Sequence, residues 1–459
     1  MITQLEIHNF KSWEDLPPFP LGKITGFFGP NSSGKTGVLQ FLLMLKQTVE
    51  STDRSLVLHL GDERTLVDLG TFQDVIYRHD EGRALDFAFK WQERLELTIG
   101  SASTSFQQVG FEAQIGRERE GEPLRVASFR YRLSRRAGEA PRYTFGMSLA
   151  SPEEGTYDLT AKGFTPKRSR GRPWPLPAPV RFYGFPDETF AYYQNVDFLS
   201  QVALALEKLF SRIYYLGPLR EYPKRRYIWS GEVVSDVGQR GELAVPALLA
   251  SRARGRDIRR GRGRGYKRCT VEERVAEWLR EMKLIHSFRL EPIAEGRKDY
   301  EVRIRRTPQS PEVFLTDVGF GVSQILPVLV LCYYAPEGSI LLFEQPEIHL
   351  HPSVQYALAD VFLDAARWRG VQIIVESHSE YLLQRLQRRV AEDVDGQLAR
   401  DIRLYFTDYR DGRSILTPLE MDEYGTIVNW PEDFFGDRMG EAVARTEAAM
   451  RRKLGGDGR

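Results

Sequence analysis

The residues Gly29-Pro30-Asn31-Ser32-Ser33-Gly34-Lys35-Thr36 constrain this chain more than any other stretch. They satisfy G-x-x-x-x-G-K-[ST] at every required position, and the flanks suit the pattern. An apolar run, Ile24–Phe28, predicts a strand before the loop, and 37–47 predicts a helix after it. A loop that leads from a strand into a helix N-terminus turns backbone N–H groups toward one point, which favours an anion. In that geometry Lys35 reaches the β- and γ-phosphates of a nucleoside triphosphate, and Thr36 offers a hydroxyl to Mg²⁺. A glycine-rich turn that binds nothing requires neither side chain, so phosphate binding is the expectation.

Composition closes off other classes. At 459 residues the chain has room for two to four domain-sized units. Lys+Arg 64 against Asp+Glu 63 leaves a net charge of +1, so the overall balance proposes no polyanion. Cys269 and Cys332 are the only cysteines, which excludes a disulfide framework and a four-thiolate zinc site. No apolar stretch reaches the roughly 18 residues a membrane span needs. The N-terminus reads as a strand with Lys11 and Asp15 soon after, not as a leader. A cytoplasmic chain with no membrane partner is expected.

In chain order, Ile2–Phe10 and Ile24–Phe28 read as strands joined by a proline-rich connection, 16–21. The helix over 37–47 is apolar nearly all round, which implies burial. From about 55 to 160, alternating runs such as Leu85-Asp86-Phe87-Ala88-Phe89 predict an antiparallel β region. The stretch 162–179 reads as a loop, 190–209 as a helix, 271–284 as a helix and 300–304 as a strand. Three runs, 340–343, 373–375 and 402–406, are almost wholly apolar and alternate with amphipathic helices. That is the pattern of a parallel sheet covered on both faces. Sustained heptads are absent, so no coiled-coil arm is expected.

Four further elements share the second half. Asp317-Val318-Gly319-Phe320-Gly321-Val322-Ser323-Gln324 is a glycine-rich turn into an apolar helix, whose Pro327 is tolerable only in a first turn. Ile340-Leu341-Leu342-Phe343-Glu344-Gln345-Pro346-Glu347 is a buried strand ending in acids. Ile348-His349-Leu350-His351-Pro352 follows, and Val375-Glu376-Ser377-His378-Ser379 closes the next strand.

With the loop at 29–36, these elements resemble the ATP-binding-cassette ATPases of the SMC, RecF and OLD type. More closely, they resemble a bacterial family of ATPases classed as AAA that ends in a small uncharacterised domain. The resemblance covers about 1–50 and 310–436, with weaker traces at Tyr215 to Arg220 and at Val237-Gly238 to Glu242. It implies an α/β fold: a cassette-type P-loop ATPase head with a mostly parallel core sheet, an antiparallel β subdomain and a mixed insertion. It also implies ATP and Mg²⁺ as cofactors.

Residue by residue, Glu344 matches the Walker B acid of the Mg²⁺ shell. Gly319, Gly321 and Ser323 fall in the signature segment, which in such proteins caps the partner subunit's nucleotide, so a homodimer is implied. His378 matches the switch histidine, 349–352 the loop between the two sites, and Gln73 the approximate place of a glutamine that contacts Mg²⁺. Each has a plain alternative: His378 as a strand-end histidine, Gly319-Phe320-Gly321 as a turn, His349 and His351 as zinc ligands lacking a third. One departure stands out. The cassette pattern places a second acid beside Glu344, and here that residue is Gln345. Glutamine cannot take a proton, yet phosphoryl transfer needs a positioned water more than a strong base. Gln345 then supports slow hydrolysis, or Glu347 or Glu376 substitutes, or the protein only binds ATP.

Between Ser251 and Arg268 stand eight arginines, one lysine, four glycines and Asp257. Such a run, 252–268, suits DNA or RNA phosphates without base readout, or else it is a solvated loop. The tail Trp430-Pro431-Glu432-Asp433-Phe434-Phe435 matches the family's C-terminal domain, its aromatics packing on the core or docking a partner.

The expected organisation is an ATPase core at 1–50 and 311–410, a β subdomain at 51–160, an insertion at 161–310 and a small domain at 411–459. The expected function is a dimeric ATP-driven switch or motor acting with nucleic acid or an effector protein, by analogy in DNA maintenance or anti-phage defence. The alternative is a non-hydrolysing scaffold that gates a separately encoded toxin or nuclease. A self-contained OLD-like nuclease is disfavoured, because no second acid cluster follows His378.

Overall fold

The computed structural model describes residues 1–100, 102–119, 121–169, 174–255, 257–260, 267–431, 434 and 443–450. The chain opens with β1 (Ile2–Phe10), β2 (Trp13–Pro20) and β3 (Ile24–Phe28), then α1 (Lys35–Glu50) and a short α2 (Phe72–Val75). Next come β4 (Leu85–Ile99), β5 (Ala102–Gly116), β6 (Arg125–Ser134), β7 (Tyr143–Ser151) and β8 (Thr156–Lys162). These five strands and the β1–β2 hairpin form one antiparallel sheet, ordered β2-β1-β4-β5-β6-β7-β8. The proline-rich 16–21 segment is therefore mostly strand rather than connection. Its prolines are tolerated because β2 is the sheet edge, where one flank has no ladder to donate to.

The expected helix over 190–209 is two helices, α3 (Asp187–Tyr192) and α4 (Phe198–Ser211). Between them Tyr193 is extended, and Asn195 ties the break to the preceding loop. Its Oδ1 accepts from Lys167 N at 2.7 Å and its Nδ2 donates to Thr165 O at 3.0 Å. Then follow β9 (Ile213–Leu216), β10 (Tyr227–Ile228), α5 (Ala244–Arg252), β11 (Ile258–Arg260), β12 (Lys267–Cys269), α6 (Val271–Glu281), β13 (Ser287–Pro292), β14 (Asp299–Arg305) and β15 (Glu312–Phe314). α6 starts at a capping box in which Thr270 and Glu273 satisfy each other's backbone N–H groups.

Then follow α7 (Phe320–Tyr334), β16 (Ile340–Glu344), α8 (Pro352–Arg369), β17 (Gln372–Glu376), α9 (Glu380–Ala391), α10 (Gln397–Asp401), β18 (Ile402–Arg410) and β19 (Arg413–Pro418), and 443–450 are helical. Pro327 lies inside α7, not in its first turn. Its ring occupies the space over Gly241, where an added Cβ would approach Pro327 Cβ to 2.5 Å.

β9, β16, β17, β3 and β18 form the parallel sheet, with β19 antiparallel at its edge, in the order β19-β18-β3-β17-β16-β9. One face presents Phe27, Leu342, Ile374 and Tyr405 to the core shared with α1, α4 and the antiparallel sheet. The other presents Phe28, Phe343, Val375 and Phe406 to a second core built on α5 to α9. Burial on both faces explains why these strands are continuously apolar. No helix among the described residues is long and apolar enough to cross a membrane.

Candidate functional site

The loop at 29–36 leaves the C-terminal end of β3, which lies between β17 and β18. Two glycines are demanded by the backbone. Gly29 has φ 143°, and a Cβ there would lie 2.1 Å from Thr407 O; Gly34 has φ 95°, and its Cβ would lie 2.3 Å from Ser414 Oγ. The β18–β19 hairpin therefore presses on the loop from below. Thr407 Oγ1 donates to Phe28 O at 3.0 Å and lies 2.6 Å from Ser33 Oγ. Trp13, fully buried on β2, donates from Nε1 to Gly34 O at 3.0 Å. Neither buttress was legible in the loop's own sequence.

Lys35 is buried, and its Nζ donates to Gly29 O at 3.0 Å and Pro30 O at 2.6 Å. Burial lowers its pKa, with Glu376 and Glu347 opposing. The cavity over the loop measures about 220 Å³ and is lined by 31–37, Lys11, Ser12, Gln345, Glu376 and His378. A larger cavity of about 550 Å³ is lined by Asp360, Asp364, Asp393 and Asp401 together with Lys23, Arg367 and Arg389; Lys23 pairs with Asp401 and Arg389 with Asp360.

The acids come from strand ends. Glu344 and Glu376 are register partners on adjacent parallel strands, so they share one face of the sheet. Glu376 Oε1 accepts from Thr36 Oγ1 at 3.0 Å, while Oε2 is buried without a hydrogen-bond partner among the described residues. Burial, and then the neighbouring Glu344, push the Glu376 pKa up to about 7. Glu344 is raised by burial and held down by the Tyr215 hydroxyl, which donates to Oε2 at 2.7 Å. Arg220, on the chain just beyond β9, is buried with Nε and Nη1 lacking a hydrogen-bond partner among the described residues, and burial lowers its pKa to about 10. Glu344 and Glu347 are among the charges it faces. Tyr215 and Arg220 had carried only a trace of family likeness in the sequence.

Gln345 has φ 43°, a left-handed conformation uncommon for glutamine, and lines the cavity. Its N–H donates to Glu376 O at 2.9 Å, which pins the turn to β17. His378 lines the same cavity; burial and the Lys35 charge lower its pKa. Its backbone N–H donates to Glu347 Oε1 at 2.6 Å.

Other expected residues lie elsewhere. Gln73 is exposed on α2 and, like Glu344, is not among the residues that line the cavity. Gly319 caps α7, Gly321 follows, and Ser323 Oγ donates to Phe320 O at 2.8 Å; none of the three lines the cavity. His351 is the N-cap of α8, accepting from Ser353 N at 3.3 Å, and exposed His349 packs its ring 5.1 Å from Phe320. Neither has zinc-site company: among the described residues no group of three or more His, Cys, Asp or Glu is placed to hold a metal.

Of the arginine run, 256 and 261–266 lie outside the described residues. Its start is engaged: Arg252 makes two hydrogen bonds to Glu272, at 2.8 and 3.1 Å, and the Arg254 guanidinium lies 4.5 Å from the Tyr334 ring centroid. In the tail, 432, 433 and 435 likewise lie outside, but Phe434 is buried 4.9 Å from Phe406. That aromatic packs on the core.

The residues present fit a magnesium nucleotide. The loop N–H groups and Lys35 suit phosphate oxygens, and Thr36, Glu344 and the unpartnered Oε2 of Glu376 offer oxygens to a hard cation.

A family model described as "AAA domain, putative AbiEii toxin, Type IV TA system" matches residues 24–384, and one described as "Protein of unknown function (DUF3696)" matches 399–444. No curated protein matches the sequence. Among solved structures, the chain is similar to an SMC head bound to the C-winged helix domain of ScpA, at 12% identity and TM-score 0.44, covering 91% of this chain and 98% of that one. It is also similar to the SMC head domain from Thermotoga maritima, at 11% identity and TM-score 0.41, covering 92% of this chain and 99% of that one.

Proposed function

The chain belongs to this AAA-domain family of P-loop ATPases, and on that premise we propose that it is an ATP-operated switch that hydrolyses slowly. The observation that carries the reading is the convergence of Lys35, Thr36, Gln345, Glu376 and His378 on one 220 Å³ cavity. Loop N–H groups and the α1 N-terminus hold the phosphates, and Lys35 exchanges its carbonyl partners for phosphate oxygens. Bound Mg²⁺ supplies positive charge against the phosphates. Thr36 and Glu344 hold it, and Tyr215 keeps the Glu344 carboxylate oriented. Gln345 orients water through its amide, and His378, neutral through its lowered pKa, donates toward the γ-phosphate.

On this reading Gly319, Gly321 and Ser323 complete the site of a second copy, since none reaches the cavity of its own chain. An effector protein or nucleic acid receives the signal, with arginines of 252–268 as the phosphate-binding charge.

Gln345 favours a second reading, a scaffold that binds ATP and gates a separate effector without turnover. Steady-state ATP hydrolysis, with and without DNA, separates the two. Slow turnover abolished by Lys35→Ala supports the switch. ATP binding with turnover no faster than in Lys35→Ala supports the scaffold.

A further inference from the structure

We propose that Glu376 is a third protein group holding the divalent cation, one carboxylate oxygen orienting Thr36 and the other facing the metal. This rests on the proposal that the loop at 29–36 binds a magnesium nucleotide. It assigns to the strand after β16 a duty that the sequence had given to Gln73.

Three observations lead there. Thr36 Oγ1 donates its proton to Glu376 Oε1 at 3.0 Å. A threonine hydroxyl that gives its proton to a carboxylate turns its lone pairs outward, the orientation a metal requires of it. Glu376 is 2% exposed, yet Oε2 has no hydrogen-bond partner among the described residues. An ionised oxygen left so is costly unless a cation or a proton joins it. Finally, Glu344 stands beside Glu376 in register across the parallel pair.

Two like charges at the ends of neighbouring buried strands repel, and the nearby charges of Lys35 and Arg220 offset this only in part. The Lys35 ammonium donates to Gly29 O and Pro30 O. A divalent ion between the strand ends and Thr36 would neutralise both acids and use the idle oxygen. Gln73, exposed on α2, cannot take this place. The described residues supply too few donors to hold a metal alone, so nucleotide phosphates complete the shell.

The test is Mn²⁺ binding by electron paramagnetic resonance, with saturating non-hydrolysable ATP analogue, in wild type, Glu376→Gln and Glu376→Asp. Glutamine keeps the shape and the Thr36 contact but removes the charge. Loss of a metal-supporting carboxylate weakens affinity about 10- to 100-fold. Glu376→Gln should therefore show that loss and Glu376→Asp a smaller one, each read as the Mn²⁺ affinity of protein already saturated with the analogue. Circular dichroism on each variant confirms that it is folded. Unchanged Mn²⁺ affinity in folded Glu376→Gln that still binds the analogue overturns this inference alone. Failure of the wild type to bind the analogue at all would instead remove the reading beneath it.

Discussion

Thr36 Oγ1 and Glu376 Oε1 are 3.0 Å apart, joining the first turn of α1 to the end of β17 across 340 positions of sequence. The bond ties the nucleotide loop to the acidic edge of the parallel sheet. Any change at Glu376 is therefore felt at Thr36.

The same carboxylate sets a pH dependence. Its pKa is raised to about 7 in the fold by burial and Glu344, against the ordinary 4.5, while Thr36 and Lys35 pull it down and Glu347 pushes it up. Below about pH 4.5 the proton is bound in both folded and unfolded chains, and the contribution to stability is fully present. Between about 4.5 and 7 the unfolded chain releases the proton first, so stability falls as pH rises. The loss is on the order of 3 kcal/mol. Denaturant unfolding of metal- and nucleotide-free protein at pH 5 and pH 8 should show a larger decline in wild type than in Glu376→Gln. Parallel declines in the two proteins would contradict the shift.

Lys35→Ala should weaken ATP binding about 10- to 100-fold, the worth of a charge-assisted hydrogen bond to phosphate. The hydrophobic cores do not depend on Lys35, so the variant should remain folded by circular dichroism. Fluorescence titration with an ATP analogue measures the affinity, and an unchanged value would remove Lys35 from the site.

Gln345→Glu should leave ATP affinity near wild type and raise turnover about tenfold or more, since a positioned base commonly contributes 10²–10⁴-fold. The side chain already lines the cavity from a left-handed turn held by the Gln345 N–H to Glu376 O bond of 2.9 Å. A phosphate-release assay decides. A fall in turnover would mean that a further acid beside Glu344, Glu347 and Glu376 repels the nucleotide, and would contradict Gln345 as the cause of slow hydrolysis.

Gly319 is exposed, with nothing within 4 Å of an added Cβ, and begins a helix that no side chain caps. If this end completes a second copy's site, light scattering should give a monomer without nucleotide and a dimer with ATP in Gln345→Ala, where hydrolysis is suppressed. A monomer at every ATP concentration would exclude that role.

Local patterns made much of this legible. The loop at 29–36 stood out by its pattern, and the apolar runs at 340–343, 373–375 and 402–406 joined β3 in one parallel sheet, because parallel strands buried on both faces must be apolar throughout. Long-range partners were not legible. Trp13, Thr407 and Ser414 support the loop from distant strands, and Tyr215 reaches Glu344 only because β9 pairs with β16. Gln73 was suggested only by the family resemblance, and the short helix α2 holds it exposed, outside the lining of the cavity over the loop. The prolines at 17, 18 and 20 suggested a connection because sequence does not reveal that β2 is a sheet edge.

The most direct test of the whole is calorimetric titration of ATP into wild type and Lys35→Ala, each with and without Mg²⁺. Wild type should bind one ATP per chain, more tightly when Mg²⁺ is present, and Lys35→Ala should lose most of that affinity in both conditions. Equal heats for the two proteins, or no binding by wild type at any Mg²⁺ concentration, would contradict the assignment of 29–36 as a nucleotide site.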